Sequence, residues 1–297
     1  MIEKGNELTT MTKNITISLL ISLAAEFLSC SSVSDFVKAN FQKPQVDFAG
    51  AKLDHLTFEK IGLLFDLKIT NPNPMGVKLT GFDFDFLLND HSFVQGKNDA
   101  GVEIPANGHR IVPVLVSMKF DEVYRTFTSL RDQDSTRYQL DCGLSFDLPI
   151  LGPQRIPISK TGSVPLIKIP KIGIESLKLN KLNLTGADLK LQIKLTNPNA
   201  LAFTLQAFDY QLEINGQPWI DGRRNQPLEI AAKRQSVLEI PFSVNFLQIG
   251  QSAYTLLSGE QDLSYRLKGS LALASSLPIF KETRLPFDTS GKVRLIR

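Results

Sequence analysis

The chain has 297 residues, with 33 basic and 30 acidic side chains, a formal charge of +3, 42% apolar residues and a mean hydropathy of −0.03. That length suits two domains of ordinary size, and the apolar share excludes a disordered chain. Lys and Arg are scattered rather than clustered, which excludes a nucleic-acid groove and so nucleic acid as a partner.

The first element is a leader. After a polar decapeptide, Met11 and Lys13 precede the apolar run Ile15 to Ala25, which is too short to span a bilayer and has the length of a signal-peptide core. Residues 1–29 are therefore expected to be a signal peptide, with Met11 as an alternative start. The run ends in Phe27-Leu28-Ser29-Cys30, followed by the Ser-rich 31–34. This stretch resembles a bacterial lipobox, although Phe27 stands where Leu is usual. The resemblance implies that Cys30 becomes the acylated first residue of an exported lipoprotein, anchored at the periplasmic or cell-surface face of a membrane, with residues 30–43 as a tether. Ser31 agrees with outer-membrane sorting. An ordinary cleaved leader and a single amphipathic anchor are the alternatives. Acylation leaves Cys142, the other of two cysteines, unpaired. A Cys30–Cys142 disulfide is the competing arrangement, and the strand-like neighbours of Cys142 mark it as a small buried apolar residue rather than a reactive thiol.

Beyond the tether the chain repeats itself. Aligning Asn71 with Asn197 sets an offset of 126 residues, and the same shift superposes long stretches. Leu63, Phe65, Leu67 and Ile69 fall on Leu189, Leu191, Ile193 and Leu195; Phe82, Asp83, Phe84 and Phe86 fall on Phe208, Asp209, Tyr210 and Leu212. Two copies are expected, at 44–166 and 170–297, joined by residues 167–170 and closely coupled because that linker is so short. Each copy reads as strands. Lys190, Gln192 and Lys194 alternate with Leu189, Leu191 and Ile193, the pattern of a strand with one wet face. The alternation slips between Leu79 and Phe82, and again between Leu205 and Phe208, which predicts bulges at Thr80-Gly81 and Gln206-Ala207. Further strands are expected at 110–120, 138–148, 236–246 and 263–273. Seven or so short strands per copy, divided by Gly, Pro and Asn turns, predict two tandem antiparallel β-sandwiches, each with one short α-helix. The first helix is expected over Asp121 to Asp132, with Val123, Phe127 and Leu130 on one face and Asp121 as cap; residues 246–259 hold its counterpart.

The segments Asn71-Pro72-Asn73 and Asn197-Pro198-Asn199 interrupt this strand pattern at the same point in both copies. A residue before proline is pushed toward extended geometry, and proline has no N–H to offer a neighbouring strand. Strand pairing should stop there, with Asn73 closing a local turn through its amide. A structural corner is the reading the residues favour, and a polar ligand held by the paired amides is the sharper alternative. Asp83 and Asp209, between aromatics on the polar face of a strand, read as solvated carboxylates.

An alternating strand, then Thr-Asn-Pro-Asn, then a second alternating strand ending in an Asn turn, and Ile104-Pro105-Ala106-Asn107-Gly108 together resemble the late-embryogenesis-abundant group 2 domain, also known as the water-stress and hypersensitive-response (WHy) domain. The second copy departs from the pattern, with Ala200 in place of the trailing proline and Ile230-Ala231-Ala232-Lys233-Arg234 in place of the later motif. The resemblance implies a fibronectin-III-like sandwich without enzymatic activity, a role in tolerance of desiccation or other stress, and frequent membrane tethering.

Independently of that resemblance, His55, His91 and His109 face Lys181, Gln217 and Gln235 in the other copy, so no shared site uses them. The sequence contains no paired-Cys metal spacing, nucleophile elbow, P-loop or dinucleotide fingerprint. No cofactor or metal is expected, and only a site assembled from separated loops would make it an enzyme. The expected function is therefore a non-enzymatic, membrane-anchored protein that protects by weak binding to protein clients or lipid surfaces. Two rivals are a surface adhesion module and a carrier of lipid or another apolar ligand in a groove between sheets.

Overall fold

The computed structural model describes residues 41–149, 151–250, 252–259 and 262–297. The expected signal peptide, Cys30 and all but the end of the tether lie outside the described residues. The first repeat contains β1 (Gln45–Leu56), β2 (Lys60–Thr70), β3 (Val77–Leu88), β4 (His91–Asn98), β5 (Val102–Ile104), β6 (His109–Lys119), β7 (Ser135–Leu148) and β8 (Gly152–Pro165). The second contains β9 (Lys171–Leu182), β10 (Gly186–Thr196), β11 (Phe203–Ile214), β12 (Gln217–Arg224), β13 (Leu228–Ile230), β14 (Gln235–Asn245), β15 (Leu263–Ser275), β16 (Thr283–Val293) and β17 (Leu295–Ile296).

Each repeat is a sandwich of two sheets. In the first, β1-β2-β6 faces β4-β3-β7-β8, with β5 also on β3; in the second, β9-β10-β14 faces β12-β11-β15-β16, with β13 also on β11. Between the named strands pairing is antiparallel except that β17 adds to β9 in parallel, covering an edge whose equivalent on β1 carries no such strand among the described residues. The alternation in sequence sets the inward faces. Ile61, Leu63, Phe65, Leu67 and Ile69 of β2 point into the first core, as Leu189, Leu191, Ile193 and Leu195 of β10 point into the second. Phe65 meets Phe86 and Tyr138 across the first core at ring-centroid distances of 6.4 and 5.6 Å. Burying each such side chain stabilises the fold by about 1.5–3 kcal/mol.

The bulges lie where the alternation slips. Pairing of β3 with β7 shifts between Leu79 and Gly81, and that of β11 with β15 between Leu205 and Ala207. The extra residue brings Phe82 and Phe208 back onto the core face after Leu79 and Leu205 have occupied it. The β3–β4 and β11–β12 hairpins turn through positive φ at Asn89 and Asp90 (49° and 66°) and at Asn215 and Gly216 (49° and 79°). Two successive residues of that kind suit a tight turn between right-twisted strands.

The helical segments differ from the single helix expected in each copy. In the first, α1 (Phe120–Thr126) stops at Phe127, whose φ of −120° is not helical, and a 3₁₀ turn follows over Thr128–Asp132. Asp121 lies inside the first turn, the N-cap position belongs to Lys119, and no side chain caps it. In the second, α2 (Phe246–Ile249) and α3 (Ser252–Ser258) are divided at Gly250, whose φ of 93° breaks the helix. Here Asn245 does cap, its side chain accepting from Leu247 N at 2.9 Å.

Candidate functional site

The Asn-Pro-Asn segments sit where the chain leaves one sheet for the other. β2 ends at Thr70, immediately before Asn71, and β3 resumes on the opposite sheet; the chain returns between β5 and β6 beside the same corner. Two irregular crossings therefore meet around the buried Asn71 and Asn73, although Pro74, Met75, Pro105, Ala106 and Asn107 beside them are exposed, and the backbone groups turned inward need partners. Asn71 supplies them. Its Nδ2 donates to Met75 O (2.8 Å), Pro105 O (3.1 Å) and Ile104 O (3.4 Å), while its Oδ1 accepts from Asn73 N (3.0 Å) and Asn73 Nδ2 (2.9 Å). Its backbone N–H donates to Gly108 O, and Asn107 N donates to Asn73 O, each at 2.8 Å. The Pro72 ring removes the one N–H that would lack a place in this scheme.

The second corner reproduces the first. Asn197 Nδ2 donates to Leu201 O (2.7 Å), Ile230 O (3.2 Å) and Ala231 O (3.2 Å), and its Oδ1 accepts from Asn199 N (3.0 Å) and Asn199 Nδ2 (3.1 Å). Lys233 N donates to Asn199 O at 3.0 Å. Lys233 and Asn107, offset by the same 126 residues, hold φ values of 57° and 50°. All four asparagines are 2% exposed or less.

One detail departs from the sequence reading. The residue that closes the local turn is Asn71, not Asn73. Asn73 instead reaches 31 residues back, donating to Gln42 O at 2.8 Å and accepting from Gln42 N at 2.9 Å. Asn199 grips Lys168 in the same two-point way, at 2.8 and 2.7 Å. The second asparagine thus clamps the irregular segment that enters each sandwich. With the side-chain amides occupied by the protein itself, the corner presents no open amide pair to a ligand.

In the second repeat the clamped residue lies between the two sandwiches, and Leu166, Ile167 and Lys168 are each held there. Leu166 N donates to Asp134 O (2.8 Å), Tyr124 Oη donates to Ile167 O (3.1 Å), and Asn199 holds Lys168. Asp134 then collects both Lys168 and Lys233, and Lys233 Nζ also donates to Pro198 O at 2.7 Å. Hydrogen bonding from Lys233 lowers the Asp134 pKa below the usual carboxylate value, whereas burial and then the Asp134 charge push Tyr124 up to about 12. On the apolar side, Phe58 at the β1–β2 turn packs against Phe203 and Phe280 of the second sandwich, with ring centroids 4.7 and 5.0 Å away. Lys281 N donates to Leu56 O at 3.3 Å.

Asp83 and Asp209 are paired rather than simply solvated. Arg155 donates to Asp83 at 2.6 Å; Arg284 and Ser270 donate to Asp209 at 2.9 and 3.0 Å. Cys142 is buried and unpaired, its thiol pushed up to about 12 by burial first and then by Asp141 and Asp83. His55, His91 and His109 lie on separate strands, β1, β4 and β6. Among the described residues, no group of three or more His, Cys, Asp or Glu could hold a metal, and no helix is long and apolar enough to cross a membrane.

The residues missed by sequence reasoning are the clamped Gln42 and Lys168 and the joint formed by Phe58, Asp134 and Lys233. The signal was faint: the single hint was the shortness of residues 167–170.

Comparison with known proteins gives consistent matches. The family model described as late embryogenesis abundant protein matches residues 66–162 and 192–291. Late embryogenesis abundant protein Lea14-A of Gossypium hirsutum is 22% identical over 128 residues, covering 43% of this chain and 85% of its own. A solution structure assigned to a late embryogenesis abundant protein covers 55% of this chain and 90% of its own at 20% identity, with a TM-score of 0.36. An Arabidopsis thaliana protein, also solved in solution, covers 42% of this chain and 83% of its own at 21% identity and the same TM-score of 0.36.

Proposed function

The chain belongs to the late embryogenesis abundant protein family, and we propose on that footing that it is a non-enzymatic stress-protective protein of the WHy type, held at a membrane and acting by weak contacts with protein clients or lipid surfaces as water is lost. The observation that carries this reading is the pair of corners at Asn71-Pro72-Asn73 and Asn197-Pro198-Asn199, one in each family segment. Their polar groups are spent on holding the fold, so these signature residues serve persistence of the sandwich rather than chemistry. A protein whose irregular crossings are internally hydrogen-bonded depends less on solvent to satisfy its backbone, which suits service under drying.

The anchor completes the proposal. Acylated Cys30 would confine the sandwiches to a membrane surface, facing the periplasm or the cell exterior and most simply on the outer membrane. Each buried acyl methylene contributes about 0.8 kcal/mol, so several chains hold far more firmly than one. Intact-mass measurement of the membrane fraction, native against Cys30→Ala, tests the anchor: an unmodified native chain would remove it. Survival of a deletion strain after drying, osmotic shock and heat, together with protection of a labile enzyme by the purified chain, tests the role. Unchanged survival combined with no protection would overturn it.

A further inference from the structure

A cavity of about 630 Å³ opens beside the joint, where α1, the β1–β2 turn and residues 167–169 meet. That is within the range of about 300–1,000 Å³ typical of sites for one small organic molecule. We propose that it binds a single-chain amphiphile with a carboxylate head, a long-chain fatty acid. The inference is independent of the stress-protective reading and of the anchor.

The walls supply the apolar half of the argument. Phe58, Phe120, Tyr124 and Ile167 line the cavity, and Ile169 joins them while 62% exposed. The clamp on Lys168 and the bond to Ile167 O fix the passage that carries Ile169. An acyl chain in the cavity would cover this side chain.

The charges supply the head group. Lys119, Arg131 and Lys168 outnumber Glu59 and Asp121 along the lining. Asp121 is drawn to Arg125 at 3.2 Å, Lys119 to Glu122 at 3.6 Å, and Lys168 to Asp134 at 3.4 Å. Arg131 spends only Nε, on Tyr124 O at 3.3 Å, and among the described residues it has no carboxylate within ion-pair distance. Its planar fork matches a carboxylate in two-point geometry.

Comparing the two copies separates this site from the needs of the fold. Shifted by 126 residues, Phe58 becomes Leu184; by β7 and β15 the offset has grown to 127, which sets Leu130 on the likewise buried Leu257 and Arg131 on Ser258. Ser258 is exposed like Arg131, and Leu184 stands 83% exposed at the far tip of the second sandwich. The same domain therefore folds without the arginine or the phenylalanine. In the first copy these residues converge on one cavity.

The test is calorimetric titration of the full chain with palmitate below its micelle concentration, repeated with hexadecanol and with a two-chain phosphatidylglycerol as competitor. Saturable one-to-one binding of palmitate is expected, with hexadecanol about tenfold weaker and Arg131→Glu weakening palmitate about tenfold or more but leaving hexadecanol unchanged. Ile169→Asp should weaken both about tenfold. Arg131 and Ile169 are exposed, and an unchanged unfolding midpoint checks that each variant is folded. Leu184→Asp, which removes a still more exposed apolar group elsewhere, should change nothing. Absence of saturable binding would overturn the proposal. So would equal loss in Leu184→Asp, which indicates general adsorption, or equal affinity for palmitate and hexadecanol, or equal competition by the two-chain lipid.

Discussion

Removing one corner amide should destabilise the second sandwich by an amount large for a single substitution. Asn197 is 1% exposed. In Asn197→Ala the carbonyls of Leu201, Ile230 and Ala231 lose their shared donor, and the N–H of Asn199 and its side-chain amide lose their acceptor. A buried group left without a partner costs about 1–3 kcal/mol, but the three carbonyls share one amide and can be partly relieved by water. The expected loss is therefore about 3–5 kcal/mol rather than the sum of five bonds. For a sandwich of this size that corresponds to a fall of roughly 12–20 °C in midpoint, taking about 4 °C per kcal/mol. The assay reads one domain alone, because the single tryptophan, Trp219, lies buried in β12 of the second sandwich. Urea unfolding followed by its fluorescence should show a lower midpoint at unchanged slope. Adding Asn199→Ala should cost less than the sum of the two single changes, since Asn199 Nδ2 donates to Asn197 Oδ1. A loss below about 1 kcal/mol for Asn197→Ala would refute the account of the corner as a hydrogen-bonding hub.

Phe58→Ala removes the apolar contact with Phe203 and Phe280 and should cost about 3 kcal/mol of coupling, so that calorimetry resolves separate unfolding of the two sandwiches; a single unchanged transition would contradict it. Asp134 has a folded pKa below its unfolded value, so its contribution is present above the unfolded pKa of about 3.9 and is lost as pH falls through the folded one. Asp134→Asn should flatten that acid dependence by less than about 1 kcal/mol, because the group is 41% exposed and water screens the pairing; wild-type acid dependence in the variant would count against the pairing. With the Cys142 thiol pushed up to about 12 and buried, a Cys30→Ala chain should resist a thiol reagent at pH 8 until urea unfolds it. Labelling of the native chain as fast as that of the unfolded one would show that the first core opens. Asn199→Ala should admit protease at Lys168, whose backbone it holds, while Asn73→Ala should leave that site protected.

What was legible in the sequence was what alternation records. The wet and dry faces of β10, the slips at Thr80 and Gln206, and the end of β2 before Pro72 are all local patterns of period two or of backbone chemistry. The helical segments were less legible. Val123, Phe127 and Leu130 have helical spacing, but Phe127 leaves helical geometry, and the turn tightens to 3₁₀ as Leu130 reaches the core. The targets of the second asparagine were not legible at all, since Gln42 and Lys168 lie 31 residues away and only the folded chain brings them alongside. The same holds for Arg155 beside Asp83 and Arg284 beside Asp209, 72 and 75 residues further on, whereas Asp209's other ion-pair partner, Arg223, faces it across the β11–β12 hairpin.

Duplication turns a domain device into an assembly device. In the first sandwich the Asn73 clamp fixes Gln42, the chain's way in; in the second the identical clamp fixes Lys168, which is also the first sandwich's way out. The corner that completes the second fold therefore sets the position of the first. Lys233 extends this: its backbone belongs to the corner, through Asn199 O, and its ammonium reaches Asp134 of the preceding sandwich. At the equivalent place in the first copy stands Asn107, whose short side chain cannot span such a distance. Positions shared by the two copies thus build the sandwich, and positions that differ, Lys233 for Asn107 and Phe58 for Leu184, build the joint.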